Sequence, residues 1–278
     1  MAYISDSNIT PRKITTARMQ EMKDKGQKIV CLTAYDALIA QILDEANIDV
    51  ILVGDSLGNI VQGHDTTLPV TLEDIIYHTR AVLKGTKRPL IVADMPFMSF
   101  QVSPDLAFTN AGRLLKETGC EAVKLEGATP IVLSAIQRIT EAGIPVMGHL
   151  GLTPQSINQF GSYRTRGKNQ DEAEKILEDA KKLEEAGAFS IVLEKIPYQL
   201  AKTISESLTI PTIGIGAGPH CDGQILVYAD MLGLNIDFQP RFVRLYANLK
   251  KVIKEAVQEY GDDVRNNNFP TIDESYSK

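Results

Sequence analysis

Short apolar runs recur along this chain, each followed by a turn and then by a stretch with helical periodicity. The runs lie at Ile29–Thr33, Val50–Val53, Leu90–Ala93, Ala122–Leu125, Pro145–Gly148, Ser190–Leu193, Thr212–Ile215 and Met231–Leu234. They are continuous rather than alternating, as expected of parallel strands buried on both faces. The clearest helix between them is Asp171–Gly187, where Ala173, Ile176, Leu177, Ala180 and Leu183 recur at helical spacing. Asp171 with Lys175 and Glu178 with Lys182 are i,i+4 pairs on its outer side, and Gly187 suits the position just past its end. Ser103-Pro104 and Thr129-Pro130 each read as an N-cap followed by proline at the first helical position. Thr71 with Asp74 reads as a weaker capping box.

Strand alternating with helix means right-handed βαβ units on a parallel sheet. Eight such units favour a closed (β/α)8 barrel over an open doubly wound sheet. An extra helix is expected over Ile14–Lys25, before the first strand. A long helix over Arg241–Tyr260 closes the series, with Phe242, Leu245, Leu249, Val252 and Ile253 on one side. The expected domain is a single barrel over residues 1–262, followed by a polar tail over 263–278.

Composition narrows the class. The chain has 278 residues, a length common for a one-domain α/β barrel, and its 44% hydrophobic and 23% charged residues are ordinary for a globular protein. A net charge of −6 argues against a nucleic-acid partner, which needs clustered Lys and Arg. Cys31, Cys120 and Cys221 are scattered and odd in number, which fits a reducing compartment with no disulfide framework. No apolar run has the length of a membrane span, and Met1–Lys25 lacks an apolar signal core and carries Asp6, Glu21 and Asp24. The expected location is the cytoplasm, with no membrane partner.

In a barrel, functional groups project from the C-terminal ends of the strands. The second run leads into Gly54-Asp55-Ser56, the third into Asp94, the fourth carries Lys124 and leads into Glu126, the fifth ends at His149 and the sixth at Glu194. One carboxylate after a strand is ordinarily a helix cap or a rim salt bridge. Five neighbouring strands with ionisable groups at one rim are harder to explain so, because clustered carboxylates repel unless a cation or a shared proton relieves them. Asp55, Asp94 and Glu126 offer only oxygens, which suits Mg²⁺ or another hard divalent cation and not zinc. Glu194, from the far side of the set, reads as a general base rather than a fourth ligand. Lys124 could pair with a carboxylate, form a Schiff base or hold a substrate carboxylate, and His149 could be structural or catalytic. Spacing alone leaves these open. The loop Gly54–Thr71 is too long for a routine turn, so a lid or a subunit contact competes with plain structure. Gly214, Gly216 and Gly218 suggest a nucleotide loop only weakly, since the pattern needs glycine at Pro219 and a place on the first βαβ unit. Close packing or substrate approach at the barrel mouth accounts for them better.

The segments VGDSLGNIVQGHDTTLPVT (Val53–Thr71), ADMPF (Ala93–Phe97), VKLEG (Val123–Gly127), GHLGLTPQS (Gly148–Ser156), GAFSIVLE (Gly187–Glu194) and IGIGAGPHCDGQILV (Ile213–Val227) together resemble the ketopantoate hydroxymethyltransferase family, from about Thr10 to Tyr260. The resemblance implies a homo-oligomeric barrel, typically a decamer, of the phosphoenolpyruvate/pyruvate superfamily. It implies transfer of a hydroxymethyl group from 5,10-methylenetetrahydrofolate to 3-methyl-2-oxobutanoate through a metal-stabilised enolate, the first committed step of pantothenate and coenzyme A synthesis. By motif, Asp55 and Asp94 are metal ligands that also meet the substrate, and Glu126 is a ligand directly or through water. Ser56 and Lys124 meet the substrate carboxylate, Glu194 is the proton acceptor and His149 a secondary candidate. Two readings compete. One is a metal-dependent lyase or aldolase acting on an α-keto acid without folate, and the other is a non-catalytic barrel used as a scaffold, in which these residues would tolerate replacement.

Overall fold

A computed structural model of the chain describes residues 12–235 and 240–277. The start of the Met1–Lys25 stretch lies outside them. Eight parallel strands close into a barrel in sequential order: β1 (Ile29–Thr33), β2 (Val50–Val53), β3 (Leu90–Asp94), β4 (Ala122–Glu126), β5 (Val146–Gly151), β6 (Ser190–Glu194), β7 (Thr212–Ile215) and β8 (Gly223–Leu226). The ring closes where β1 pairs with β8, Ile29 opposite Gly223 and Leu32 opposite Leu226. Helix α1 (Thr16–Asp24) precedes β1, as expected. Then follow α2 (Ala37–Glu45), the short α3 (Leu57–Ile60), α4 (Leu72–Gly85), α5 (Pro104–Thr118), α6 (Pro130–Thr140), the short α7 (Ile157–Phe160), α8 (Gln170–Glu185) and α9 (Tyr198–Ser207).

Local chemistry explains the helix ends. Ser103 Oγ and Thr129 Oγ1 accept from Leu106 N and Val132 N, each ahead of a first-turn proline. Thr71 and Asp74 complete both bonds of a capping box at the start of α4. On α8 the Glu178–Lys182 pair forms at 2.7 Å, whereas Lys175 turns to Asp179 rather than to Asp171. Gly187, one residue past the Ala186 cap, takes φ +96°.

The eighth strand is a correction. It is Gly223–Leu226, and the expected run Met231–Leu234 instead ends the short helix α10 (Tyr228–Met231) and enters a turn. Gly223-Gln224-Ile225-Leu226 carries less apolar character, and Gln224 is exposed. What makes it a strand is partnership. A Cβ at Gly223 would lie 2.5 Å from the Ile29 carbonyl oxygen, so only glycine lets β8 approach β1. Nor is there an eighth complete βα unit, because β7 passes to β8 without a helix.

The chain divides into two compact units, 1–227 and 228–278. In the second, the expected helix over Arg241–Tyr260 is α11 (Leu249–Arg265), which starts where Asn248 Oδ1 accepts from Lys251 N. Phe242 and Leu245 precede it, and it runs past residue 263, where the polar tail was expected to begin. Among the described residues no helix is long and apolar enough to cross a membrane.

Inside the barrel, alternate residues face inward. Ile29, Cys31, Val50, Leu52, Leu90, Val92, Ala122, Met147, Val192, Ile213 and Ile225 form one buried core, joined by Met19 and Met22 of α1.

Candidate active site

The period of two that builds this core also aims the chemistry. Leu90 and Val92 face inward on β3, so Asp94 does too. The same parity carries Ala122 to Lys124 and Glu126 on β4, Met147 to His149 on β5, and Val192 to Glu194 on β6. The strands that supply the apolar core therefore end in ionisable groups at the same mouth. Asp55 comes from the turn after β2, where its own N–H donates to Asp94 Oδ2 at 3.1 Å.

The groups form a connected run. Lys124 Nζ lies 2.8 Å from Asp94 Oδ1 and 3.5 Å from Glu126 Oε1. Glu126 Oε1 is 3.2 Å from His149 Nδ1, and His149 Nε2 is 3.3 Å from Glu194 Oε2. Both imidazole contacts are close but poorly directed, so neither nitrogen makes a well-formed hydrogen bond. Asp55, Asp94, Lys124, Glu126 and His149 are all buried, whereas the Glu194 side chain is 17% exposed. Six of the seven expected residues thus meet. Ser56 lies beside them with a different partner, its Oγ 2.7 Å from the Tyr35 hydroxyl. Gly151 matters to the geometry at Glu194. At φ +94°, with no room for a Cβ against the Glu194 carbonyl, it lets Leu152 N donate to that oxygen at 2.8 Å.

Electrostatics follow from crowding. Burial, with Asp94 and Glu126 nearby, pushes the Asp55 carboxyl well above the usual carboxylate range. Burial also raises Asp94, and Lys124 only partly offsets it. Glu126 moves down, because Lys124 and His149 outweigh its burial. Burial works to lower Lys124, but Asp94, Glu126 and Asp55 outweigh it and hold the ammonium charged. That state opposes the Schiff-base reading, which needs a neutral amine. Burial also works against His149, yet Glu126 and Glu194 raise it to about 9.

Four carboxylates, Asp55, Asp94, Glu126 and Glu194, therefore share two cations, Lys124 and His149, and the donor set of Asp55, Asp94 and Glu126 is all oxygen. A divalent cation fits that imbalance. Among the described residues no group of three or more His, Cys, Asp and Glu side chains makes a ready-formed metal cage. The arrangement suits Mg²⁺, which keeps several waters and commonly takes one or two carboxylates, and not a closed zinc site.

Gln155 is the residue that sequence reasoning missed. It lies in the helical turn Pro154–Ser156 after β5, is buried, and contacts both Asp55 and Glu126. Its place in the GHLGLTPQS segment was the only signal. The three remaining histidines are elsewhere: His64 N donates to the Gly58 carbonyl oxygen at 2.8 Å, His78 Nδ1 meets the Tyr35 carbonyl oxygen at 2.7 Å, and the His220 ring lies 6.0 Å from that of Tyr198. Gly218 is explained by packing, since a Cβ there would sit 2.3 Å from Tyr198 Cβ.

Comparison with known proteins shows the family and the fold type. Residues 13–272 match the family described as ketopantoate hydroxymethyltransferase. The 3-methyl-2-oxobutanoate hydroxymethyltransferase of Chlorobaculum parvum is 59% identical over 267 residues, 95% of this chain and 96% of that one. That of Syntrophus aciditrophicus is 54% identical over 265 residues, 95% and 97% of the two chains. The fold is similar to that of a phosphonopyruvate hydrolase solved with oxalate and Mg²⁺, at TM-score 0.59 and 14% identity over 94% of this chain and 93% of that one. It is also similar to 2,3-dimethylmalate lyase, a member of the PEP mutase/isocitrate lyase superfamily, at TM-score 0.58 and 14% identity over 94% and 91%.

Proposed function

The chain belongs to the ketopantoate hydroxymethyltransferase family, and from that premise we propose that it transfers a hydroxymethyl group from 5,10-methylenetetrahydrofolate to 3-methyl-2-oxobutanoate. The product is ketopantoate, and the reaction is the first committed step of pantothenate and coenzyme A synthesis. The observation that carries this reading is the buried, connected run from Asp55 to Glu194 at one barrel mouth.

Asp55 and Asp94 would hold the divalent cation. Glu126 would act through water, because Lys124, His149 and the Gln155 N–H already lie against its two oxygens. When bound, the ion supplies Lewis-acid polarisation of the ketone and offsets charge on its oxygen. Lys124 brings a fixed positive charge to the substrate carboxylate, and the Ser56 hydroxyl, backed by Tyr35, adds a hydrogen bond. Glu194 accepts the proton from C3 of the keto acid. It is the most exposed carboxylate of the set and belongs to the strand farthest from Asp55. The enolate carbon then bonds to the folate methylene carbon, whose bonds to N5 and N10 both break. A water supplies the hydroxyl of the new hydroxymethyl group, its other proton and the one taken from C3 go to the two nitrogens, and tetrahydrofolate leaves. His149, with Nε2 3.3 Å from Glu194 Oε2, is the secondary candidate for base. The three cysteines are unpaired and buried, which suits a cytoplasmic enzyme. Self-association as a homodecamer completes the proposal, with sedimentation velocity as its check.

The deciding experiment supplies both substrates to EDTA-treated protein, with and without added Mg²⁺. Ketopantoate should form only with folate and metal together. Consumption of the keto acid without folate would favour a lyase or aldolase, and full activity after rigorous metal removal would refute the metal site.

A further inference from the structure

Gln155 makes four hydrogen bonds at the site and has been assigned no role above. Its side-chain Nε2 donates to Asp55 Oδ2 and to the Met95 carbonyl oxygen, each at 3.0 Å. Its backbone N–H donates to Glu126 Oε2 at 3.0 Å, and its Oε1 accepts from Gln101 Nε2 at 3.0 Å. One buried residue on the β5 turn thus holds groups that follow β2 and β3 and end β4.

We infer that Gln155 is a positioning residue for the cation, its two amides fixing one oxygen each of Asp55 and Glu126 so that the cluster keeps a set geometry toward the metal. This rests on the metal reading above. The amide orientation is dictated by its surroundings. Turned over, Oε1 would face the Asp55 carboxylate and the Met95 carbonyl, acceptor against acceptor, while Nε2 would face the Gln101 donor. The neutrality of the group is part of the argument. A lysine or arginine here would bind Asp55 as firmly but would cancel the charge that attracts the cation, and an acid would add a further repulsion. A neutral donor orients the carboxylate and leaves its charge available. Removal of such supporting partners commonly weakens metal affinity or activity ~10–100-fold.

The test is Gln155→Met, which keeps the length and the backbone N–H to Glu126 and deletes only the side-chain amide. Mn²⁺ alone serves as the probe, its binding read by loss of the free-ion signal in electron paramagnetic resonance, with thermal melting as the check on folding. The variant should stay folded and bind Mn²⁺ ~10–100-fold more weakly. Mn²⁺ affinity should fall while the melting point stays close to wild type, a split that general destabilisation would not produce. Gln101→Met removes only the neighbour that sets the amide orientation, so it should weaken Mn²⁺ in the same direction but less, and it decides the matter if Gln155→Met fails to fold. Wild-type Mn²⁺ affinity in the folded variants would overturn the inference. If wild-type protein binds no Mn²⁺, the metal reading itself fails and this inference falls with it.

Discussion

The two mouths of the barrel use the same residue types to opposite ends. At the N-terminal mouth an acid stands immediately before each of three strands: Asp49 before β2, Glu121 before β4 and Asp222 before β8. Each accepts a backbone N–H of another strand, from Val30, Ile91 and Thr212 respectively, at 3.0, 2.9 and 2.8 Å. Each also has its own base, Arg88 at 2.7 Å, Lys13 at 2.6 Å and Lys23 at 3.0 Å. At the C-terminal mouth four acids, Asp55, Asp94, Glu126 and Glu194, share two bases, Lys124 and His149. Matched charges hold strands in register. Unmatched ones store repulsion that only a further positive group relieves. Stoichiometry of charge, rather than the presence of charge, separates the stabilising end of this barrel from the reactive one.

The comparison breaks most sharply at Glu194. Glu194→Gln keeps the shape but cannot accept a proton, so turnover should fall ~10²–10⁴-fold. Wild-type protein with metal and 3-methyl-2-oxobutanoate alone should exchange the C3 hydrogen with deuterated water, and the variant should not, while its affinity for the keto acid stays near normal. Normal exchange in the variant would take the role from Glu194 and pass it to His149.

Next in size is the opposite mouth. Asp222→Ala strips acceptors from Lys23, Thr212 N and Thr212 Oγ1 at once. It should cost about 1–3 kcal/mol of stability, with a melting point roughly 2–4 °C lower per kcal/mol. The KM for keto acid should not change. A large rise in KM with an unchanged melting point would show that the two mouths are not separate in function.

How much of this contrast the sequence reveals follows from what each feature depends on. Seven of the eight strands are legible because each carries its own apolar run. The eighth is not, because Gly223–Leu226 is a strand only by virtue of the neighbours that flank it, and its decisive residue is a glycine whose use is steric. The positions of Asp94, Lys124, Glu126 and Glu194 are legible from the ends of the runs. Their convergence follows from inward parity, which places Asp94, Glu126 and Glu194 inside the strands and not just beyond them. Gln155 escapes because its neighbours are close only in space: Asp55 is 100 positions away and Met95 is 60. Nothing in local periodicity marks it.

A smaller effect, of opposite sign to that at Asp222, is expected at Asp55. In metal-free protein Asp55→Asn removes the buried carboxyl whose ionisation burial, Asp94 and Glu126 oppose, and keeps an oxygen to accept from Gln155. Stability should rise by about 0.5–2 kcal/mol, the usual gain when a strained functional group is relieved, while metal-dependent activity is lost. A metal-free variant less stable than wild type would mean that the cluster carries no stored repulsion, and the contrast between the mouths would lose its basis.

The smallest effect concerns the thiols, none of which belongs to the reactive mouth. Cys31 and Cys120 are buried, burial raises the thiol at Cys31, and at Cys120 it does so from the usual 9.0 to about 11. Burial raises Cys221 as well, with Ser205 and Thr212 partly opposing it. The thiolate is the reactive form, so at pH 8 the folded protein should react negligibly with Ellman's reagent and should retain activity. The sign for stability follows from linkage. A folded-state value above the unfolded one means that the folded form holds its proton more tightly. The stabilisation is therefore complete below about pH 9 and is lost as pH rises through about 11. Lysines and tyrosines titrate in the same range, so the informative quantity is the melting-point difference between wild type and Cys120→Ala. That difference should be constant from pH 7 to about pH 9 and then narrow toward pH 11 as wild type weakens. A difference that stays flat to pH 11, or rapid labelling of Cys120 at pH 8 without loss of structure, would show that the thiol is open to water and that the wall beneath β4 is less tightly closed than its packing implies.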